Sequence, residues 1–409
     1  MKKIRPIKIA SRKVGPGMPV YIIFEVASTH ANNWQIAKDY VDQAKEAGAD
    51  ALKFQLFTAD GLLNPIASVL KPTYDYFKTA QTPRRWFPKL VELCKKRGLD
   101  LLCTPFDPDA ASFLDSLGIP AIKIASGDLT NHQLLAHVAK FAKPVILSTG
   151  MGTLKEIRLA VDTLANSGCR ELAILQCTSV YPMPYEDANI LAMQTMQKKF
   201  GKVVGYSDNG SAGILVPLVA VSMSASVVEK HVTSQKARGN MDDVFSLSAE
   251  EFAQMVKRIR TIENNYRGNL TAAVSDLRSE FGQSVDTVLG SSKKTPAEFG
   301  ILRDDGTRML EADERRWARR GIYPKSDILK GTKITKDMII SVRPDVGVSA
   351  LNYLQILGSI ATEDLPARQP LVLSQGKVRR FRKADIRRIY RSKDEEQFVQ
   401  ILEKTANFS

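Results

Sequence analysis

The sequence predicts an α/β fold, a (β/α)8 barrel followed by a small second domain, and three observations lead there. Short Val/Ile/Leu-rich runs alternate with amphipathic segments from Val20 to Arg267. Those runs are apolar at consecutive positions, as parallel strands buried on both faces are. A doubly wound sheet would normally carry a Gly-rich phosphate loop after its first strand, and none follows Val20–Ala27.

The expected strands are Val20–Ala27, Ala51–Phe57, Asp100–Thr104, Ala121–Ser126, Pro144–Thr149, Glu171–Cys177, Val203–Ser207 and Val227–Val232. Between them, Gln35–Ala47, Trp86–Lys96, Leu154–Ser167 and Ala188–Lys199 read as helices. An apolar, small-residue helix is expected over Ala212–Ser224, and Glu250–Arg267 supplies the last one. Eight such units in a row favour a closed parallel barrel, with residues 1–267 as its domain.

Residues 268–314 are polar and turn-rich, including Gly290-Ser291-Ser292-Lys293-Lys294-Thr295-Pro296, with one helix expected at Thr271–Phe281. This reads as a linker. Residues 315–376 carry short strands and closely spaced turns, the pattern of a compact second domain, and 377–409 form a basic tail.

The chain has 409 residues, 44% hydrophobic and 25% charged, as ordinary globular proteins are. No apolar run reaches a membrane span, and Met1–Pro6 is basic without the apolar stretch of a secretory leader. Cys94, Cys103, Cys169 and Cys177 are scattered and read as reduced thiols of a cytoplasmic protein. The net charge of +14 raises nucleic acid as a partner and equally suits small anionic substrates. Lys377–Arg391 holds eight basic residues against one acidic. It reads as a polyanion-binding helix, or as a solvated helix packing Val378, Phe381, Ile386 and Ile389 on the body. No aromatic interleaving of the single-strand-binding kind accompanies it.

The expected strand ends carry a recurring polar set: Glu25, Lys53, Gln55, Thr104, Lys123, Ser126, Ser148, Tyr181, Ser207 and His231. In a barrel these converge on the catalytic face. Lys53 and Lys123 lie within apolar strands, where an unpartnered ammonium is costly. Each is either paired with a carboxylate such as Glu25 or Glu229, or holds an anionic ligand. Neighbouring Ser and Thr hydroxyls favour the anion, since phosphate and carboxylate groups need donors and fixed positive charge together.

In order, Glu25, Lys53-x-Gln55, Cys103-Thr104-Pro105-Phe106, Lys123-Ile124-x-Ser126-Gly127, Leu147-Ser148-Thr149-Gly150-Met151, Tyr181-Pro182, Gly205-Tyr206-Ser207-Asp208 and Glu229-Lys230-His231 resemble the sialic acid (N-acetylneuraminate) synthases and their nonulosonic-acid relatives. The likeness runs from about Tyr21 to Ile262 and resumes in a C-terminal domain similar to that family's antifreeze-like (SAF) domain. It implies a C–C bond-forming transferase that condenses phosphoenolpyruvate with an open-chain N-acyl-amino hexose and releases phosphate. It further implies that Lys53, Thr104, Lys123, Ser126, Ser148 and Ser207 hold phosphoenolpyruvate. Glu25, Gln55, Tyr181 and Asp242 would face the sugar, joined by Arg343 from the partner subunit of a domain-exchanged homodimer. Glu25, Asp128 and His231 are the implied catalytic groups, with Asp128, where the family has Glu, as proton acceptor.

The family's metal site implies Mn²⁺ or Mg²⁺, with His231 and position 209 as ligands. Here Asn209 replaces the second His, and Thr29-His30-Ala31-Asn32 departs from the family's loop after the first strand. Three outcomes stay open: a divalent ion on His231, Asn209 and water; a metal-free reaction with Asn209 and His231 donating to the aldehyde; or loss of the reaction. Two rivals also stand, a Schiff-base pyruvate aldolase or lyase using Lys123 and a non-catalytic relative.

Overall fold

Alternation along the strands explains the molecule best. The computed structural model describes residues 4–64, 71–210, 213–234, 241–266, 268–294, 301–302, 308–309, 311–390, 399–400 and 402–403. Ala212, Thr295, Pro296, Arg391 and most of the tail beyond it lie outside the described residues.

A hairpin of β1 (Ile7–Ile9) and β2 (Arg12–Val14) opens the chain. Eight parallel strands follow: β3 (Tyr21–Glu25), β4 (Ala51–Leu56), β5 (Asp100–Pro105), β6 (Ile122–Ile124), β7 (Val145–Ser148), β8 (Leu172–Gln176), β9 (Val203–Asp208) and β10 (Val227–His231). Each pairs with the next in sequence and β10 pairs with β3, closing the barrel. All eight fall within or beside the runs read from the sequence.

The side-chain period of two divides every strand between two environments. Ile22, Phe24, Leu52, Phe54, Ile122, Ile124, Val204 and Val228 face outward into the large core shared with the helices. Their neighbours Tyr21, Ile23, Ala51, Leu102, Ala121, Ile146, Ala173, Val203 and Val227 fill the lower barrel, where Ile7, Ile9 and Val14 of the hairpin plug it. Further along the inward rows come Glu25, Lys53, Thr104, Lys123, Ser148, Ser207 and Glu229, all buried. The apolar floor gives way to a polar mouth at the strands' C-terminal ends.

The helices start where side chains cap them. Leu154–Asn166 opens on a capping box between Thr153 and Glu156, and Ala249–Asn265 on one between Ser248 and Glu251. Asn33 caps Trp34–Glu46. Leu270–Phe281, expected as a linker insertion, packs Ala273, Val274 and Leu277 into the barrel's outer core. A second helix, Ser284–Leu289, adds Val285 and Val288.

The small domain pairs Gly321–Pro324 with Ile339–Val342 and adds a sheet of Ile360–Ala361, Lys377–Arg380 and Leu371–Ser374. Its own core gathers Ile322, Ile328, Ile334, Ile356, Leu371 and Val378. The basic run is therefore not one helix: it begins as a strand and ends in a short helix, Ile386–Ile389. Val378, Phe381 and Ile386 are buried, whereas Ile389 is exposed. Its cations are largely compensated, Arg379 and Arg388 by Asp385, Arg382 by Glu363 and Arg387 by Glu403. Among the described residues no helix is long and apolar enough to cross a membrane.

Candidate active site

The polar mouth is built around two buried ammonium groups. Lys53 Nζ lies 2.8 Å from Glu25 Oε2 and 3.9 Å from Glu229 Oε1, and donates to Thr104 Oγ1 at 3.1 Å. Lys123 Nζ donates to Ser148 Oγ at 2.7 Å and to the Ile124 carbonyl at 3.1 Å, with Glu229 Oε1 3.7 Å away. Ser207 Oγ donates to Glu229 Oε1 at 3.0 Å, and Gln55 Nε2 to Glu25 Oε1 at 3.0 Å. Each lysine thus has the carboxylate neighbour that the first reading expected, and each also donates to a strand-end hydroxyl.

The electrostatics are unequal around this ring. Burial alone would raise the Glu229 carboxyl, yet Lys123 and Lys53 pull it below its ordinary value. Glu25 goes the other way, pushed up by burial with Lys53 only partly opposing. Burial would depress Lys53, but Glu229 and Glu25 hold it above normal; Lys123 is depressed by burial, partly offset by Glu229. The two carboxyls are thus shifted in opposite senses, Glu229 down and Glu25 up, around the same pair of lysines. Glu229 Oε2 is buried with no hydrogen-bond partner, as is Ser179 Oγ.

Ser126 Oγ accepts from the Gly150 amide at 3.0 Å. A Cβ at Gly150 would stand 2.2 Å from Ser179 Oγ and 2.8 Å from Ser126 Oγ, so only glycine lets these hydroxyls approach the turn. On the other side, the His231 ring meets Phe245 edge-on at 5.0 Å, and Phe245 lies 5.1 Å from the Tyr181 ring. Asp242 accepts from the Ser28 amide at 3.0 Å and from the Ser28 hydroxyl.

Two of the implied site residues have other partners in this chain. Asp128 is not placed as a proton acceptor: its carboxylate is gripped by Arg320 Nε and by Arg320 Nη2 at 3.3 Å, and accepts from Asn131 at 2.9 Å. Both partners of this ion pair are fully buried. Within the single chain, Arg343 lies against the chain's own barrel. Its backbone bridges to Leu62, its guanidinium sits 5.8 Å from the Phe106 ring, and its Nη2 lies 3.0 Å from where a Gly127 Cβ would be. The small domain docks on its own barrel, Asn64 donating to the Arg368 carbonyl at 2.7 Å and Ser341 to Gln133 at 3.2 Å.

The metal donors fit poorly. His231 is held neutral, down to about 3 by burial and the positive field of Lys53, and its Nδ1 has no partner. Asn209, however, spends its amide hydrogens on the Thr178 carbonyl and Cys177 Sγ, both at 3.1 Å. Among the described residues no three His, Cys, Asp or Glu side chains group as ligands. The Asn209 amide bonds leave its Oδ1, the atom a cation would take, without a hydrogen bond among the described residues, but one imidazole and one amide oxygen alone do not make a closed divalent site.

Against this geometry the comparisons are decisive. The model of the NeuB family matches residues 40–270, and that of the SAF domain residues 319–375. The N,N'-diacetyllegionaminic acid synthase of Legionella pneumophila is 36% identical over 372 residues, 88% of this chain and 95% of that protein. The chain belongs to the NeuB family. It is an enzyme of that family, with a parallel barrel and a SAF domain. The spore coat polysaccharide biosynthesis protein SpsE of Bacillus subtilis superposes with a TM-score of 0.71 at 29% identity, over 90% of this chain and 98% of that one. The N-acetylneuraminic acid synthetase of Leptospira borgpetersenii, solved with citrate, gives 0.60 at 30% identity over 68% and 97%.

Sequence reasoning missed the linker's contribution. Lys294 is buried and donates to the Cys177 carbonyl at 3.1 Å. Glu311 is buried on the backbone of Met151 and Ser179. Arg315 and Arg319 both reach the Met151 carbonyl, at 2.6 and 3.0 Å. A polar segment without periodicity gave no sign of any of these.

Proposed function

We propose that this enzyme condenses phosphoenolpyruvate with an open-chain N-acyl-amino hexose, giving a nonulosonic acid and phosphate. The observation that carries this reading is the pair of buried lysines, each already donating to a strand-end hydroxyl. Lys53 with Thr104 and Lys123 with Ser148 offer an enol phosphate fixed charge and donors, and Ser126 and Ser207 lie on the same rim. Gln55, Tyr181, Asp242 and Arg343 border the sugar's side.

Chemically, carbon three of phosphoenolpyruvate forms the new bond to the aldehyde carbon while the aldehyde oxygen takes a proton. Water adds at carbon two and loses one proton, which restores the acid spent on the aldehyde; the remaining hydroxyl proton goes to the departing phosphate as its carbon–oxygen bond breaks, leaving a 2-oxo acid. The raised Glu25, fixed by Gln55 and Lys53, is the group best suited to deliver the first proton. Neutral His231 can accept a hydrogen bond through Nδ1. Lys53 and Lys123 orient the reacting anion and offset the charge on departing phosphate. Among the described residues, Mn²⁺ or Mg²⁺ would have only His231 and the Asn209 amide oxygen to hold it.

The relatives' names carry the acid products, legionaminic and N-acetylneuraminic, and an acylamino hexose is the acceptor class whose condensation with phosphoenolpyruvate gives acids of that kind. A domain-exchanged homodimer would deliver the same Arg343 from a second copy, and light scattering with intermolecular crosslinking at the Asn64–Arg368 contact separates the two arrangements. The substrate pool and the four free, buried cysteines suit the cytoplasm. One feature favours the lyase rival, the depressed Lys123 amine. Phosphate release from phosphoenolpyruvate across a panel of acylamino hexoses, with Mn²⁺ and with chelator, tests the assignment. Sugar-dependent release supports it; none with any sugar, alongside a borohydride-trapped pyruvate adduct on Lys123, would hand the site to the rival.

A further inference from the structure

Glu311 sits in a place made for something else. Its Oε1 accepts from the backbone amides of Met151 and of Ser179, the latter at 2.9 Å. These amides come from the loops after β7 and β8, adjacent strands of the barrel, and converge on a single carboxylate oxygen. Ser179 Oγ is fully buried and has no partner. It and Ser126 Oγ flank Gly150, the residue before Met151. Lys294, also buried, donates to the Cys177 carbonyl and has no carboxylate within ion-pair distance among the described residues. Converging amides, a spare hydroxyl and a desolvated ammonium are the donor set of a phosphate site. It is continuous with Ser126 on the enol-phosphate rim, and Glu311 supplies the negative charge there, 1% exposed.

We propose that the Glu311 carboxylate occupies the subsite for the phosphate group of the enol phosphate and must withdraw before that group can bind. This rests on the reaction proposed above and adds a gate to it. Glu311 begins the helix Glu311–Ala318, which joins the linker to the small domain. Arg315 of that helix latches it to the barrel, with Nη2 2.9 Å from Glu156 Oε1 and Nη1 2.6 Å from the Met151 carbonyl. Substrate entry must therefore displace a carboxylate from two amides and loosen this latch. Departing phosphate, in turn, is met by a competing anion that refills its place.

The test is calorimetric titration of phosphoenolpyruvate, and separately of inorganic phosphate, into the full-length wild type, Glu311→Gln and Arg315→Gln. Removing a bound competitor raises the competent fraction, so both ligands should bind Glu311→Gln about tenfold more tightly or better. Arg315→Gln, which keeps every proposed phosphate donor but loosens the helix and its hold on the Met151 carbonyl, should shift both affinities in the same direction. Unchanged or weaker binding to Glu311→Gln, while the wild type binds phosphoenolpyruvate, would make Glu311 a scaffold for the two loops and overturn the gate. Tighter phosphoenolpyruvate binding with phosphate unmoved would assign the pocket to the substrate's carboxylate and overturn it equally. No binding of phosphoenolpyruvate to any of the three would refute the underlying reaction instead.

Discussion

Replacing Asp128 by Asn separates two roles for that residue. Arg320 is fully buried; its Nε and Nη2 hold Asp128, and its Nη1 donates to the Gly61 and Ser341 carbonyls at 3.1 and 3.0 Å. The amide in Asp128→Asn could keep one hydrogen bond but no charge, leaving a guanidinium in the interior with only neutral oxygen partners. Breaking one side of a buried pair costs about 3–5 kcal/mol, a large part of the roughly 5–15 kcal/mol that holds a domain folded. Because Arg320 joins the small domain to the barrel, the loss should first show as undocking. Urea unfolding followed by far-UV circular dichroism, with limited proteolysis of the linker, reads both effects. Arg320→Met with Asp128→Leu removes both charges and should recover most of the stability, since neither ion is stranded. Asp128→Asn within about 1 kcal/mol of wild type, with kcat collapsed and one limb of its pH profile gone, would restore Asp128 as the proton acceptor and refute the structural role.

Other outcomes follow from the same geometry. His30 is held down to about 4 and His231 to about 3, against an ordinary 6.5, in each case first by burial. The unfolded chain therefore binds protons that the folded chain refuses, so stability is full above the ordinary value and falls as pH drops through that window. Each contributes up to about 1.4 kcal/mol per pH unit, and His30→Gln should flatten the urea-midpoint profile below about pH 6.5; an unaltered slope would contradict it. Asn209→His should bring Mn²⁺ binding, by electron paramagnetic resonance titration, at least about tenfold tighter than wild type; equal affinity would place position 209 off the metal. Borohydride with pyruvate should trap no adduct at Lys123, and a stable adduct by mass spectrometry would favour the lyase.

The barrel was legible because inward and outward rows are written into the strands themselves. Ala51-Leu52-Lys53 alternates floor, outer core and mouth, as do Ala121-Ile122-Lys123 and Val227-Val228-Glu229. The β1–β2 plug escaped notice because Ile7 and Ile9 flank Lys8 in too short a run for a period to register. The ion pair of Asp128 was illegible for a different reason. Its partner Arg320 stands 192 positions away in another domain, and nothing local announces the pairing. Glu311 and Lys294 lie in polar sequence whose burial is imposed by docking alone. Arg343 was named from its motif, but which barrel it meets is a matter of chain path that motifs do not encode.

The central claim is that Lys53 and Lys123 grip an enol phosphate. Its most direct measurement is the equilibrium affinity of phosphoenolpyruvate for wild type and for Lys123→Met without sugar present. Removing one charge-assisted contact should weaken binding by about tenfold to a hundredfold, with Lys53→Met comparable. Undiminished affinity in both variants would mean that the two lysines serve only Glu25 and Glu229.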